Sequence, residues 1–404
     1  MTNNTEIRPF RIDIPQADLD DLRDRLTRTR WASELDIDYT GAVQTGPLPP
    51  EWEYGVPLAY VRRLVGQWLT TYDWRKWEER LNSYPQFVTE IDGQNVHFFH
   101  VRSADPNAIP LVLTHGWPNT SLEYFDLIEP LTNPRNGEQA FHVVIPSVPG
   151  FGFSGPTKDR GWNRYRVAGA WAELMRRLGY ERYGVHGTDV GAGVSGLLGM
   201  VDAGRVAGVH LTGTSAAMPF GPPVDPAGLS GLDRDRALRF NAFQADGLGY
   251  LHLQATRPQT LAYALTDSPV GQLAWMVEKF REWTDPAAEL PEQAVDLDQL
   301  LAGVSVSWFT RAGASSAHGT YEGMQAYRAM VERQASGGGA PPEGPPGPPT
   351  GVAVFAADTG IRSLLDPAGT MEHWTEYDSG GHFPAMEVPE LLTGDVRAFF
   401  RRHR

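Results

Sequence analysis

Two hydrophobic periods alternate along this chain, and their order predicts its architecture. From Pro15 to Leu26, Leu19, Leu22 and Leu26 recur at helical spacing behind acidic residues in the first turn. A second helical run spans about Pro57 to Tyr72, with Tyr60, Val61, Leu64, Val65, Trp68 and Leu69 on its apolar side. The Gly/Pro-rich stretch from Gly41 to Pro50 between them reads as a loop. Residues 1–90 therefore read as a Trp-rich, mostly helical segment that wraps a core.

From Gln86 the period shortens. Phe87–Ile91 and Asn95–Val101, joined by Asp92-Gly93, predict a hairpin. Ile109–Thr114, Phe141–Pro146, Tyr183–Val185 and Val206–Thr212 read as buried strands. Helical runs at about Ser121–Leu131 and Val167–Leu178, and another following residue 193, separate them. Strand and helix in alternation predict an α/β fold, a mostly parallel sheet flanked by helices. From about Ser215 the rhythm breaks into helices with Pro and Gly interruptions, read as a helical cap over 215–322 inserted into a core of 91–214 and 323–404. Ser336–Pro349 is low-complexity and predicts a surface loop. The α/β pattern returns with strands Val352–Phe355 and Trp374–Tyr377 and a closing helix Leu391–Arg401.

Composition narrows the class. The 404 residues are 41% hydrophobic and 21% charged, as in a soluble globular protein. A net charge of −14 argues against nucleic-acid or anionic-membrane partners. The absence of cysteine excludes disulfides, thiolate catalysis and cysteine-based metal sites. No apolar run approaches ~18 residues and no basic, then apolar, leader opens the chain, so a cytoplasmic location is expected. No metal or cofactor is expected either: there is no His-x-x-x-His pattern and no carboxylate cluster at ligand spacing. A homodimer is the base-rate expectation.

The chemistry centres on Gly187-Thr188-Asp189-Val190-Gly191-Ala192, between a buried strand and a run of small residues that starts a helix. Small residues around a central tip are the pattern of a nucleophile elbow, a strand-to-helix turn too sharp for flanking side chains. The same residues would also serve an ordinary strand-to-helix turn with an aspartate N-cap. With Asp189 at the tip, the nucleophile is a carboxylate, already ionised at neutral pH, and its attack leaves an ester. Its natural electrophile is a saturated carbon bearing a leaving group, such as an epoxide or an alkyl halide.

Three further pieces fit. His115-Gly116-Trp117-Pro118 follows the strand ending at Thr114. The N–H groups of Trp117 and Val190 would form an oxyanion hole, each donor worth roughly 3 kcal/mol; an ordinary loop is the plainer reading. Asp358 and His382 lie just past two later strands, where sites in open α/β sheets gather. The order nucleophile, acid, His completes a catalytic triad in which His382 takes a proton from water and Asp358 holds the imidazole. Asp366 and Glu376 are rival acids. Of the eleven histidines, His97, His186 and His210 sit in strands and read as satisfied core or surface groups.

The chain resembles the microsomal-type epoxide hydrolases of the α/β-hydrolase superfamily, including juvenile-hormone and bacterial members. The resemblance spans nearly the whole length. It rests on Arg8-Pro9-Phe10, residues 22–31 and 52–81, His115–Pro118, Pro149–Ser154, residues 249–260, Asp267–Gly271 and Gly380–Glu387. It implies an α/β-hydrolase fold with a cap, and conversion of an epoxide to a vicinal diol through an Asp189 ester. Two cap tyrosines would hydrogen-bond the epoxide oxygen, and such an acid contributes ~10²–10⁴-fold. Tyr250 matches the first. For the second, register counted back from Glu322 lands on Thr320, and Tyr321 is one residue off, a rotation of ~100° on a helix. His115, Trp117 and Tyr250 are expected to line the substrate site. Val190 stands where many relatives carry Trp, and the animal enzymes' membrane anchor has no counterpart.

A haloalkane dehalogenase shares the Asp nucleophile but needs a Trp where Val190 stands. A serine esterase is disfavoured by the lack of Gly-x-Ser-x-Gly, and an inactive hydrolase-fold binding protein by the complete triad. The twelve Trp, the fourteen Tyr and Val190 motivate a large aromatic epoxide as the small-molecule substrate, in natural-product biosynthesis or detoxification.

Overall fold

Why the chain folds this way is clearest where strands are read in register. A computed structural model of the protein describes residues 5–40, 48–135, 137–336 and 347–403. Most of the expected loops, residues 41–47 and 337–346, lie outside them. Among the described residues nine strands form one sheet: β1 (Arg8–Pro9), β2 (Gln86–Ile91), β3 (Gln94–Val101), β4 (Ile109–Thr114), β5 (Phe141–Pro146), β6 (Tyr183–Thr188), β7 (Val206–Thr212), β8 (Thr350–Val354) and β9 (His373–Glu376). The order is β1-β2-β3-β5-β4-β6-β7-β8-β9. The pairings from β5 to β9 are parallel, and those joining β1, β2, β3 and β5 are antiparallel. The β2–β3 turn takes positive φ at Asp92 and Gly93, 50° and 78°, as a two-residue hairpin demands.

Successive side chains of a strand point to opposite faces, and the core divides accordingly. Phe99, Leu111, Leu113, Val143 and Ile145 pack on one face; Phe98, Val112, Val144 and Val185 pack on the other. Helices cover both.

The N-terminal helices are α1 (Gln16–Thr27), α2 (Leu58–Thr70) and α3 (Trp74–Asn82). Within the core come α4 (Phe125–Thr132), preceded by a 3₁₀ turn at Ser121–Tyr124, then α5 (Arg164–Arg177) and α6 (Val190–Val201). The cap follows as α7 (Gly231–Ala242), α8 (Gly249–Thr256), α9 (Pro258–Asp267), α10 (Pro269–Trp283), α11 (Leu297–Phe309) and α12 (Ala312–Ala335). The chain closes with α13 (Arg362–Leu365), α14 (Pro384–Glu387) and α15 (Pro389–Phe400).

Two features were not in the periodicity. The N-terminal segment is not only helical: Arg8 and Pro9 pair with Val88 and Phe87 and extend the sheet edge. Its helices also pack on the cap, where Leu22, Leu26, Leu64 and Trp68 share a cluster with Leu273, Met276, Phe280 and Leu301. Leu64 is fully buried there, so truncating it to Ala costs about 2–5 kcal/mol. The cap's last helix, α12, continues through residue 322 without a break. Among the described residues no helix is long and apolar enough to cross a membrane.

Candidate active site

The site grows from the junction of β6 and α6. Asp189, the residue between them, has φ 53° and ψ −118°, a conformation that costs a non-glycine residue roughly 1–3 kcal/mol. Its neighbours explain how that strain is held. A Cβ on Gly191 would lie 1.8 Å from the Thr114 carbonyl oxygen, and one on Gly116 would lie 2.4 Å from the Cβ of Asp189. Only glycine lets the β4 loop and the elbow close on each other, and that approach pins Asp189 outward at the strand's C-terminal end.

The β4 loop answers the carboxylate directly. The Trp117 N–H donates to Asp189 Oδ1 at 2.9 Å. Val190 opens α6, so its N–H has no intrahelical partner and faces the same end of the helix. His382 Nε2 stands 3.6 Å from Asp189 Oδ2, an ion-pair distance longer than a hydrogen bond. Burial alone would raise the Asp189 carboxyl, yet the His382 contact, the Trp117 N–H and the charge of Arg164 hold it below the ordinary aspartate value. It is therefore ionised at neutral pH. Burial would lower His382, but Asp189, aided by Asp358 and Glu123, outweighs it and leaves the imidazole raised above its ordinary value.

Asp358 sits in the turn after β8, where its Oδ2 accepts the Phe355 N–H at 3.0 Å. It is buried, and burial pushes it up to about 6 against the pull of that N–H and of the His382 charge. Asp358 and His382 act on each other through charge; no hydrogen bond joins them among the described residues. The His382 loop is fixed from the cap side: its N–H donates to the Trp283 carbonyl at 2.8 Å, and the Gly380 N–H donates to Asp285 at 2.7 Å. The rival acids are engaged elsewhere. Asp366 caps a turn by accepting from Thr370 and Met371, and Glu376 pairs with Arg236 at 3.0 Å.

Above the carboxylate the wall is aromatic. Tyr250 stacks on Trp117 with ring centroids 4.8 Å apart, Trp283 meets Tyr250 at 5.4 Å, and Trp283 meets His382 at 4.9 Å. Lys279 Nζ lies 4.8 Å over the Tyr250 ring. Burial drives the Tyr250 hydroxyl well above its ordinary value, so it keeps its proton and can donate it. His115 is fully buried: Nε2 accepts the Val148 N–H at 3.1 Å and Nδ1 lies 3.2 Å from the Gly116 carbonyl. Burial lowers it to about 4, and the neutral ring staples the loop after β4.

On α12 it is Thr320 that reaches the Tyr250 helix, donating to Gln254 Oε1 at 3.1 Å, one turn beyond Tyr250. Tyr321 is half-buried on the neighbouring face of the same helix. Sequence reasoning missed Arg164, Lys279 and Trp283, which sit in helices with no local motif. It also missed Glu123, an acid between Leu122 and Tyr124 with no motif around it.

The strand histidines are core groups. His97 bonds Ser147 and Gln86, both at 3.0 Å. His186 and His210 meet at 2.9 Å, and Asp395 binds His210, His373 and Tyr377 at 2.7–2.8 Å. The ligand atoms of His210, His373 and Asp395 lie within 4.8 Å of one another, a grouping across three elements that linear spacing does not reveal.

A carboxylate on an elbow at a parallel strand's end, with a His and an Asp on later strand-end loops, is the arrangement expected where an α/β hydrolase carries its site. The comparisons agree. Residues 109–246 match the family described as "alpha/beta hydrolase fold" and residues 7–124 match "Epoxide hydrolase N terminus". A "Putative epoxide hydrolase" of Stigmatella aurantiaca (strain DW4/3-1) is 40% identical, over 98% of this chain and 86% of its own. "Epoxide hydrolase 1" of Sus scrofa is 30% identical over 97% of this chain and 88% of its own. The solved structure of Aspergillus niger epoxide hydrolase superposes with a TM-score of 0.81 at 29% identity, covering 100% of this chain and 98% of that one. The chain belongs to the epoxide hydrolase family.

Proposed function

We propose that the chain opens an epoxide in two half-reactions and releases a vicinal diol. Asp189 Oδ2 attacks one ring carbon from the side opposite the C–O bond, and the Tyr250 hydroxyl gives its hydrogen bond, then its proton, to the departing oxygen. The product is an alkyl ester on Asp189. Water, deprotonated by His382, then attacks the ester carbonyl carbon, and the C–O bond from the carboxyl carbon to the diol oxygen breaks. Asp358 stabilises the imidazolium while it holds the proton.

The observation that carries this reading is the division of labour between the two oxygens of Asp189. Oδ1 already accepts the Trp117 N–H, so it becomes the ester carbonyl oxygen and then the oxyanion. Oδ2 has no such partner and faces His382. Preorganised N–H donors acting where charge develops are the largest expected contribution to the second half-reaction.

Tyr321 is the sequence's candidate for the second donor to the epoxide oxygen. Support for it is weaker than for Tyr250, because Thr320 occupies the contact with α8. The Trp117, Tyr250 and Trp283 wall, with the small Val190 below, supports an aromatic epoxide as substrate. His115 shapes that wall through the loop it holds. A cytoplasmic location, a homodimer and a role in natural-product biosynthesis or detoxification rest on composition and resemblance alone.

A single turnover of styrene oxide in heavy-oxygen water, with enzyme in excess, tests the route. The expected result is label in the Asp189 carboxylate and a first diol that carries oxygen from the protein. Label in the diol alone, with none in Asp189, means direct attack by water and refutes the ester.

A further inference from the structure

One carboxyl group in this site has no part in the reaction as derived so far. Glu123 lies on the 3₁₀ turn after the oxyanion loop and is 1% exposed. Among the described residues neither of its oxygens has a hydrogen-bond partner, and His382 Nε2, also buried, has none either. A buried polar atom left unpaired costs about 1–3 kcal/mol, so unpaired groups gathered in one place indicate a polar occupant that satisfies them together.

Glu123 lies close enough to the reacting groups for their charges to act on it: His382 favours its ionised form and Asp189 opposes it, and an ionised Glu123 would in turn raise the neighbouring Tyr124. Its nearest donors are the Gly116 N–H and the Asn119 amide, and Gly116 is the residue that presses on Asp189. Asn119 Nδ2 contacts Met386 Sδ at 3.5 Å, which ties this turn to the short helix just after His382. Tyr124 itself is spoken for, its hydroxyl donating to the Thr114 carbonyl at 2.9 Å, and Gln299 caps the turn through the Leu122 carbonyl at 3.2 Å. The turn that carries Glu123 is thus tied at Asn119, Leu122 and Tyr124, and the Glu123 carboxyl has the Gly116 N–H and the Asn119 amide close by without a well-formed hydrogen bond to either.

We infer that Glu123 is a positioning residue for the water that hydrolyses the Asp189 ester, an inference that rests on the ester route proposed above. A water bridging Glu123 and His382 gives one O–H to His382 Nε2 and the other to the Glu123 carbonyl oxygen, which leaves a lone pair for the ester carbon. The water oxygen bonds to that carbon, its first proton passes to His382, and the diol oxygen leaves and recovers that proton from the imidazolium. The second water proton leaves the Asp189 carboxyl and restores the Tyr250 hydroxyl, so Asp189 ends as a carboxylate. Glu123 ends unchanged. Burial pushes its carboxyl up to about 8, so at neutral pH it is a neutral acceptor that does not compete with His382 for the proton.

The test is rapid-quench single turnover with styrene oxide, or the first aryl epoxide the wild-type enzyme converts, comparing wild type with Glu123→Leu and Glu123→Gln. Glu123→Leu is expected to form the Asp189 ester within about threefold of the wild-type rate and to hydrolyse it about tenfold or more slowly. In steady state kcat and KM then fall together while kcat/KM holds. Glu123→Gln keeps a carbonyl acceptor and is expected to hydrolyse within about threefold of wild type. Equal loss in both half-reactions would mean a structural role, and unchanged hydrolysis in Glu123→Leu would mean none; either overturns the inference. Diol formation with no ester on Asp189, in wild type as in the variants, refutes the ester route itself and is read separately.

Discussion

Two clusters of buried histidine and carboxylate sit in this molecule, and they are wired in opposite ways. Around Asp395 the carboxylate itself is fully answered: His210, His373 and Tyr377 all bond it, and His210 is in turn joined to His186, whose Nε2 alone in this group has no hydrogen bond among the described residues. Around Asp189 the partners stop short. His382 is 3.6 Å away, its Nε2 is unpaired, both Glu123 oxygens are unpaired, and Asp189 holds a strained backbone. The same side-chain chemistry gives a structural clamp when satisfied and a reactive centre when left short of partners. The first lowers its carboxylate far below the usual range; in the second Asp189 is lowered too, but burial pushes Asp358 and Glu123 up. Unsatisfied polarity and strain lower stability and are retained where substrate and water complete the network.

The sharpest way to break this contrast is one substitution in each cluster. Asp189→Ala is expected to lower turnover by about 10⁴-fold or more while leaving the thermal midpoint near wild type, since it removes the proposed nucleophile and few contacts. Asp395→Asn does the reverse. It leaves two histidines and a tyrosine around a neutral amide in the core, and the expected loss is about 3–5 kcal/mol of stability. Turnover per folded molecule should stay near wild type. Urea denaturation and active-site titration measure both. An Asp395→Asn protein that folds normally but does not turn over would erase the distinction.

A smaller effect separates two tyrosines. Tyr250→Phe removes the buried donor stacked on Trp117 and should lower the ester-forming rate by about 10²-fold or more. Tyr321→Phe should change it by less than about threefold, because Thr320 takes the α8 contact. Stopped-flow tryptophan fluorescence reads ester formation in both. A large loss in Tyr321→Phe would restore it as an equal second donor.

The elbow was legible because steric need leaves a composition trace: Gly116 and Gly191 are small where any Cβ would collide. The strands were legible because Phe98 and Phe99, or Leu111 and Val112, feed opposite faces of one buried sheet. Asp358 and His382 were legible from their place after β8 and β9. The two-residue β1 left no period to read, since its pairing partner lies almost eighty residues away at Val88. Glu123 was illegible for a related reason. Its meaning comes from the His382 loop, Asp189 and Gly116 folding around it, and nothing in the local run Leu122-Glu123-Tyr124 announces that company. Thr320 and Tyr321 differ only by a helix rotation, which spacing states but cannot assign to a neighbour until α8 is in place.

The smallest expected effect is a pH slope, and it has opposite sign in the two clusters. Folded Glu123 releases its proton at about 8, against 4.5 for the free side chain. Between those values the folded state holds a proton that the unfolded chain has lost, so this group's contribution to stability is full below 4.5 and is lost as pH rises through 8. Asp395 is depressed, so its contribution is full above its ordinary value of 3.8 and is lost only as pH falls through its folded value. From pH 5 to 8 Asp395 therefore adds no slope, and Glu123 subtracts stability as the pH climbs. Replacing Glu123 with Leu should remove that term, so the variant gains on wild type by about 1 kcal/mol per pH unit between pH 5 and pH 8. Urea midpoints at the two pH values measure it. A difference that does not move in the variant's favour as pH rises would mean that Glu123 is ionised in the folded protein, and a water placed between it and His382 would then meet a negative oxygen that competes with His382 for the proton.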